Sequence, residues 1–157
     1  MGAALGAASA VNDPRDTVGK FDIRSASLQV ANGQVVATVA THGSWTSDDL
    51  GSRRQRSLCV RLWTKSAPPR GHDYSICAER VLRRGGVVGT IYRHGSIESP
   101  TLKVGSASVV RPDSRTVKLS APRGRIGNPA VLQWQAFTFY TEFDLAPDDA
   151  PVRQTIR

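Results

Sequence analysis

The feature that most narrows the fold is the chain's only pair of cysteines, each inside a β-like run. Cys59 lies in LCVRLW and Cys77 in DYSICAE, on either side of the turn-rich stretch KSAPPRGH. In the hairpin register that pairs the two, Leu62 falls opposite Tyr74 and Val60 opposite Ile76 on one apolar face, with Arg61 and Ser75 on the other. The covalent constraint and the hydrophobic register therefore agree. Closing a loop of this size stabilises the fold by ~3 kcal/mol in the chain-entropy model, and such bridges persist in oxidising compartments. A zinc site needs four ligands, and two cysteines this far apart with no adjacent histidine are a poor start on one.

The same two-residue period recurs elsewhere, in short β-branched and aromatic runs separated by Gly, Pro, Asn, Asp and Ser. In SASLQV-ANG-QVVATVA, Asn32-Gly33 offers the positive-φ pair of a type I′ turn. That turn sets Val30 opposite Val35, Leu28 opposite Ala37 and Ala26 opposite Val39, with Ser27 and Thr38 on the other face. Phe21 and Ile23 run in the opposite phase, which predicts a β-bulge near Arg24 or Ser25. Gly85-Gly86 turns the chain into VVGTIYR, and SASVV and TVKLS form a hairpin around Pro112-Asp113-Ser114. The run VLQWQAFTFYTEF carries large residues on both faces and reads as one long central strand. Its parity changes between Leu132, Trp134, Ala136 and Phe137, Phe139, Phe143, so a bulge or twist is expected within it. The sum is an all-β fold, a two-sheet antiparallel β-sandwich of jelly-roll type with about eight strands and one disulfide.

A chain of 157 residues suits one domain, and 39% hydrophobic against 22% charged residues lies far from the composition of disordered chains. Lys and Arg number 21 against 13 acids, a net +8 that draws polyanions from a distance without recognising them. No segment reaches the ~18 unbroken apolar residues of a membrane helix, so no membrane span is expected. The opening MGAALGAASAV is apolar, and Ala8-Ser9-Ala10 has the form of a signal-peptidase site. Residues 1–10 are accordingly expected to be the remnant of a signal peptide or a disordered N-terminus, and residues 11–157 a single β-sandwich domain, secreted or at the cell surface.

Acids gather at the two chain ends: Asp13, Asp16 and Asp22 in DPRDTVGKFDI, and Glu142, Asp144, Asp148 and Asp149 in TEFDLAPDDAP. Termini of sandwich domains often lie close together, so both clusters can converge on one pocket. Calcium takes six to eight oxygens, mixing carboxylates and backbone carbonyls on irregular segments, and a turn bearing Asp13 and Asp16 with Gly19 free to bend offers them. Plain turn chemistry and surface ion pairs account for the same acids without an ion. The run DPRDTVGKFDIRSASL, two acids in a turn followed by Gly and a strand opening apolar-Asp-Ile, resembles the start of secreted actinobacterial β-sandwich modules. Those modules are similar to the calcium-stabilised jelly-roll domains appended to extracellular carbohydrate-active enzymes. The resemblance implies that Asp13, Asp16 and Asp22 are structural metal ligands, and Asp144 completes the candidate calcium set. Arg15 stands where many such modules have Gly before the second acid.

Catalytic residues are not expected. His42, His72 and His94 sit beside Gly or Asp in what read as solvated loops, and no serine lies in a nucleophile-elbow sequence. Paired carboxylates gather at the chain ends rather than across a cleft. Sugars stack on exposed aromatics, which makes Trp45 and Trp63 the candidate ligand contacts, while Trp134 between Leu132 and Ala136 reads as core. Arginines flank turns as Arg53, Arg54 and Arg56, as Arg80, Arg83 and Arg84, and as Arg123 and Arg125. The expected function is a non-catalytic secreted module that binds carbohydrate or cell-envelope polymer and carries structural calcium. The alternative is a protein-interaction or polyanion-binding domain acting through the arginine-rich loops.

Overall fold

The computed structural model describes residues 7–51, 56–95 and 101–156. Within them the regular structure is almost wholly strand: β1 (Ala7–Asn12), β2 (Ile23–Ala31), β3 (Gln34–Thr41), β4 (Ser57–Trp63), β5 (Tyr74–Arg80), β6 (Val87–Arg93), β7 (Leu102–Val110), β8 (Thr116–Pro122), β9 (Val131–Phe139), β10 (Phe143–Ala146) and β11 (Val152–Thr155).

Both hairpins take the expected register. Asn32 and Gly33 adopt φ 51° and 70°, and Val30 pairs Val35, Leu28 pairs Ala37 and Ala26 pairs Val39. The register breaks between Ile23 and Ser25, the bulge that brings Ile23 and Ala26 to the same core. Cys59 pairs Cys77 and is bonded to it, with Val60 on Ile76 and Leu62 on Tyr74.

The sandwich of about eight strands is replaced by eleven strands, among the described residues, in one nearly closed, barrel-like sheet of order β1-β2-β3-β8-β7-β6-β5-β4-β9-β10, with β11 also on β9. The continuity comes from β7. Its first half pairs β6, from Leu102 opposite Arg93 to Ala107 opposite Gly89, and its last residues, Ser108–Val110, pair β8. One strand thus turns the corner between two halves that would otherwise be separate layers. At the other side β1 approaches β11, where Ser9 Oγ donates to Gln154 Oε1 and accepts from Trp134 Nε1 at 2.8 Å. Nearby, Thr138 Oγ1 donates to the Phe21 carbonyl at 2.7 Å.

Three local expectations change. Ala7–Asn12, most of it within the segment set aside as leader or loose N-terminus, is β1, paired along its length with β2 from Ala7 on Val30 to Asn12 on Ser25. The long final run is a hairpin: it stops at Phe139, turns through residues 140–142 and returns as β10, leaving β9 central between β4 on one side and β10 and β11 on the other. Its change of parity is no bulge. Leu132, Trp134, Ala136 and Thr138 face inward throughout, and Phe137, Phe139 and Phe143 cover the outside of the sheet.

Inward parity builds one core, with Phe21, Ile23, Leu28, Leu58, Leu62, Ile76, Ile91, Leu119, Leu132 and Trp134 essentially without exposure. Burying side chains of this kind contributes about 1.5–3 kcal/mol each.

Candidate metal centre

The acids at the chain ends meet. One carboxylate oxygen from each of Asp13, Asp16, Asp144 and Asp148 lies within 4.8 Å of the others. Asp13 follows β1 directly, where its N–H donates to the Arg24 carbonyl at 2.9 Å. Asp16 sits in the loop that leads to β2, Asp144 projects from β10, and Asp148 lies in the turn between β10 and β11. Period two explains Asp144. It alternates with Leu145 and shares the buried parity of Ala146, so the strand aims it inward, where it is 3% exposed and accepts the Ile23 N–H.

Two further contacts fix the loops. Gly19, at φ 124°, lies against Tyr140, where an added Cβ would come within 2.8 Å of the ring, so only glycine lets the 13–22 loop dock there. Gln135 Nε2 donates to the Pro147 carbonyl at 2.7 Å, which places the turn carrying Asp148.

The electrostatics are those of like charges held together. Asp13 is 6% exposed, and its Oδ2 is buried with no hydrogen-bond partner. Burial first, then Asp144, Asp148, Asp16 and Asp22, push its carboxyl up to about 7. Burial also raises Asp144, to about 6, with Asp16 and Asp22 adding to the effect and the Ile23 N–H opposing it. Asp148 is raised by burial, Asp16 and Asp149. Two buried carboxyls with raised proton affinity, facing two exposed ones, are stabilised either by protons or by a multivalent cation. An all-oxygen donor set without Cys or His suits a hard cation such as calcium.

Of the four acids named from the sequence, Asp13, Asp16 and Asp144 are brought together and Asp22 is not in the group. It is buried alongside, where Oδ1 accepts from Thr17 N at 3.4 Å and Thr17 Oγ1 at 3.3 Å while Arg15 Nε lies 3.7 Å from Oδ2. Asp148 takes the fourth place. The signal for it was the acidic DLAPDDAP tail, but no spacing rule separates Asp148 from Asp149 there.

The tryptophans do not offer open ring faces. Trp45 is 2% exposed, with Phe21 edge-on at 5.6 Å and the Arg111 guanidinium over its ring at 3.4 Å. Trp63 is 7% exposed, and its Nε1 donates to the Arg70 carbonyl under the loop that joins β4 to β5. The exposed aromatic surface is the phenylalanine strip on the outside of β9 and β10. Phe143, 65% exposed, has its ring 4.8 Å from Phe139 and 5.4 Å from Phe137.

The histidines are not simply solvated either. His42 is half-buried with Nε2 3.4 Å from the Asp13 carbonyl, and His72 and His94 pack ring on ring at 4.1 Å. His94 Nε2 lies 2.8 Å from Ser75 Oγ, on the outer face beside the disulfide. Several arginines have internal duties: Arg56 lies over Tyr140, Arg80 pairs with Asp48 at 2.9 Å, and Arg123 and Arg125 donate to the carbonyls of Pro129 and Val104. Arg83 and Arg84 are exposed, and Arg53 and Arg54 lie outside the described residues.

Compared with family models, curated proteins and solved structures, the chain has no significant match.

Proposed function

We propose that the chain is a non-catalytic binding domain of an oxidising, extracellular setting, its two ends clamped by a structural calcium ion, with carbohydrate or cell-envelope polymer as its ligand. The observation that carries the reading is the convergence of Asp13, Asp16, Asp144 and Asp148, with the buried Oδ2 of Asp13 accepting no hydrogen bond. An unpaired buried carboxylate is costly, and a cation shared among four of them removes the cost. The ion ties the loop after β1 to β10 and to the turn before β11, across the seam where the sheet nearly closes.

The oxidised Cys59–Cys77 bridge supports the compartment, as does the similarity of DPRDTVGKFDIRSASL to secreted calcium-stabilised modules. The binding face is the outside of β4, β5, β9 and β10, where Phe137, Phe139 and Phe143 offer the rings that Trp45 and Trp63 do not.

Thermal unfolding in excess calcium, excess magnesium and chelator tests the clamp. The melting temperature is expected to rise with calcium and to lose that rise in Asp13→Asn. Equal melting in calcium and chelator would remove the ion from the proposal.

A further inference from the structure

On the outer face of β4, β5, β6 and β9 lies an open hollow of about 310 Å³, floored by the Cys59–Cys77 disulfide and walled by Arg61, His72, His94 and Phe137. Its volume is at the lower end of small-ligand sites, enough for about one sugar-sized unit. We propose that this hollow binds a single oxyanion group, carboxylate or phosphate, carried on such a unit, with Arg61 as its charge partner.

Among the described residues that line the hollow, none is acidic. Arg61 is half-buried, its guanidinium lies over the Phe137 ring at 3.9 Å, and among the described residues neither a carboxylate nor any hydrogen-bond acceptor engages it. Asp73, just before β5, and Glu79, on β5, are committed elsewhere. Asp73 Oδ2 accepts the N–H groups of Thr64, Lys65 and Ser66 at 2.7–3.0 Å, and Glu79 accepts from Thr90 and Tyr92. A half-buried guanidinium with flat stacking on one side and free N–H groups on the other fits a planar or tetrahedral oxyanion in bidentate fashion.

The other polar groups are donors or can become so. Ser75 Oγ lies 2.8 Å from His94 Nε2, and Thr101 Oγ1 lies 3.2 Å from His94 Nδ1. Burial, His94 and Arg61 hold His72 down at about 4 against the opposing pull of Asp73, and burial and Arg61 lower His94. The hollow thus keeps one permanent positive charge and surrounds it with neutral rings and hydroxyls. The disulfide and Phe137 supply an apolar floor for the body of the ligand, and Phe139 and Phe143 continue the aromatic surface beyond it.

This assignment rests on reading the chain as a binding domain, and the experiment separates its failure from failure of the calcium clamp. The oxidised protein, in calcium, is titrated calorimetrically with glucuronate, glucose 6-phosphate and glucose, and histidine side-chain resonances are followed in parallel. At least one of the two anions is expected to bind with a dissociation constant on the order of millimolar or tighter. That binding should shift His72 and His94, while glucose does neither, and the preferred anion identifies the source of the oxyanion. Arg61→Gln should weaken binding by about tenfold or more without lowering the melting temperature, whereas a purely structural arginine would lower it. Binding of glucose as tight as that of the anions, binding unaffected by Arg61→Gln, or no anion binding at all would overturn the proposal. So would turnover of a p-nitrophenyl ester that disappears in Ser75→Ala, which would make the Ser75–His94 pair a nucleophile and base instead. Loss of the calcium response alone would leave the Arg61 result standing.

Discussion

The two polar regions of this molecule are mirror images in charge. At the chain ends four carboxylates crowd together with the buried oxygen of Asp13 unpaired; on the outer face an arginine and two histidines share a hollow that no acid among the described residues lines. In each, burial and like charges move proton affinities in the direction that reduces the repulsion: Asp13 and Asp144 up, His72 and His94 down. On the readings proposed above, each would be neutralised by a counter-ion of the opposite sign. They differ in construction. The acids ride mainly on loops and clamp the seam of the sheet, so filling that site should change stability. The hollow lies on the second face of paired strands whose first face is already core, so filling it should change little beyond the ligand itself.

The largest expected effect separates the two regions through the disulfide. Replacing Cys59 and Cys77 together by Ala should cost about 3 kcal/mol, measured by denaturant unfolding, and should leave the calcium response intact because the bridge joins β4 to β5 while the clustered acids come from the chain ends. A double variant blind to calcium would show that the regions are not independent. Next in size is calcium itself. At a free concentration about 100 times the dissociation constant it should add about 2.7 kcal/mol, or roughly 5–10 °C in melting temperature, whereas a millimolar ligand of the hollow supplied at about its dissociation constant should add about 0.4 kcal/mol.

A further effect concerns pH in chelator. Asp13 has an ordinary value of 3.8 and a folded value of about 7, so between these the folded protein holds a proton that the unfolded chain has shed. Stability without calcium is therefore greatest below the unfolded value and falls as pH rises through about 7. Asp13→Asn should flatten that fall and be the more stable protein at neutral pH in chelator; a wild-type stability that rises over the same range would contradict the crowding described above. Smallest of all, Phe143→Ala should shift stability by no more than about 0.5 kcal/mol, since the ring is largely in solvent, yet reduce binding of any glycan found on an array. Undiminished binding would move the ligand off the phenylalanine strip.

The same contrast explains what the sequence made legible. Hairpin registers, the Ile23–Ser25 bulge and the disulfide followed from alternation and turn residues, because each is settled by neighbours close along the chain. Convergence of the acidic ends was also foreseeable, though not the choice of Asp148 over Asp22, which depends on how Thr17 engages Asp22. Closure of the sheet was not legible, since it turns on β7 changing partner midway and on the β10 and β11 segments pairing along one edge of β9. The hollow was hidden for a related reason. Arg61 and Ser75 were correctly placed on the face opposite the core, and such a face is normally solvent; only the loops bringing His72 and His94 over it make it a pocket. Trp45 and Trp63 are buried for the same reason, with Arg111 over one and the loop before β5 bonded to the other.

Calcium titration by calorimetry at about pH 6.5, in buffers of different ionisation enthalpy, tests the acidic clamp most directly. The expected result is one site whose binding releases protons, because the carboxyl of Asp13, pushed up to about 7, is largely protonated near that pH without the ion, and whose signal vanishes in Asp13→Asn. Absence of binding, or binding with no proton release, would contradict it.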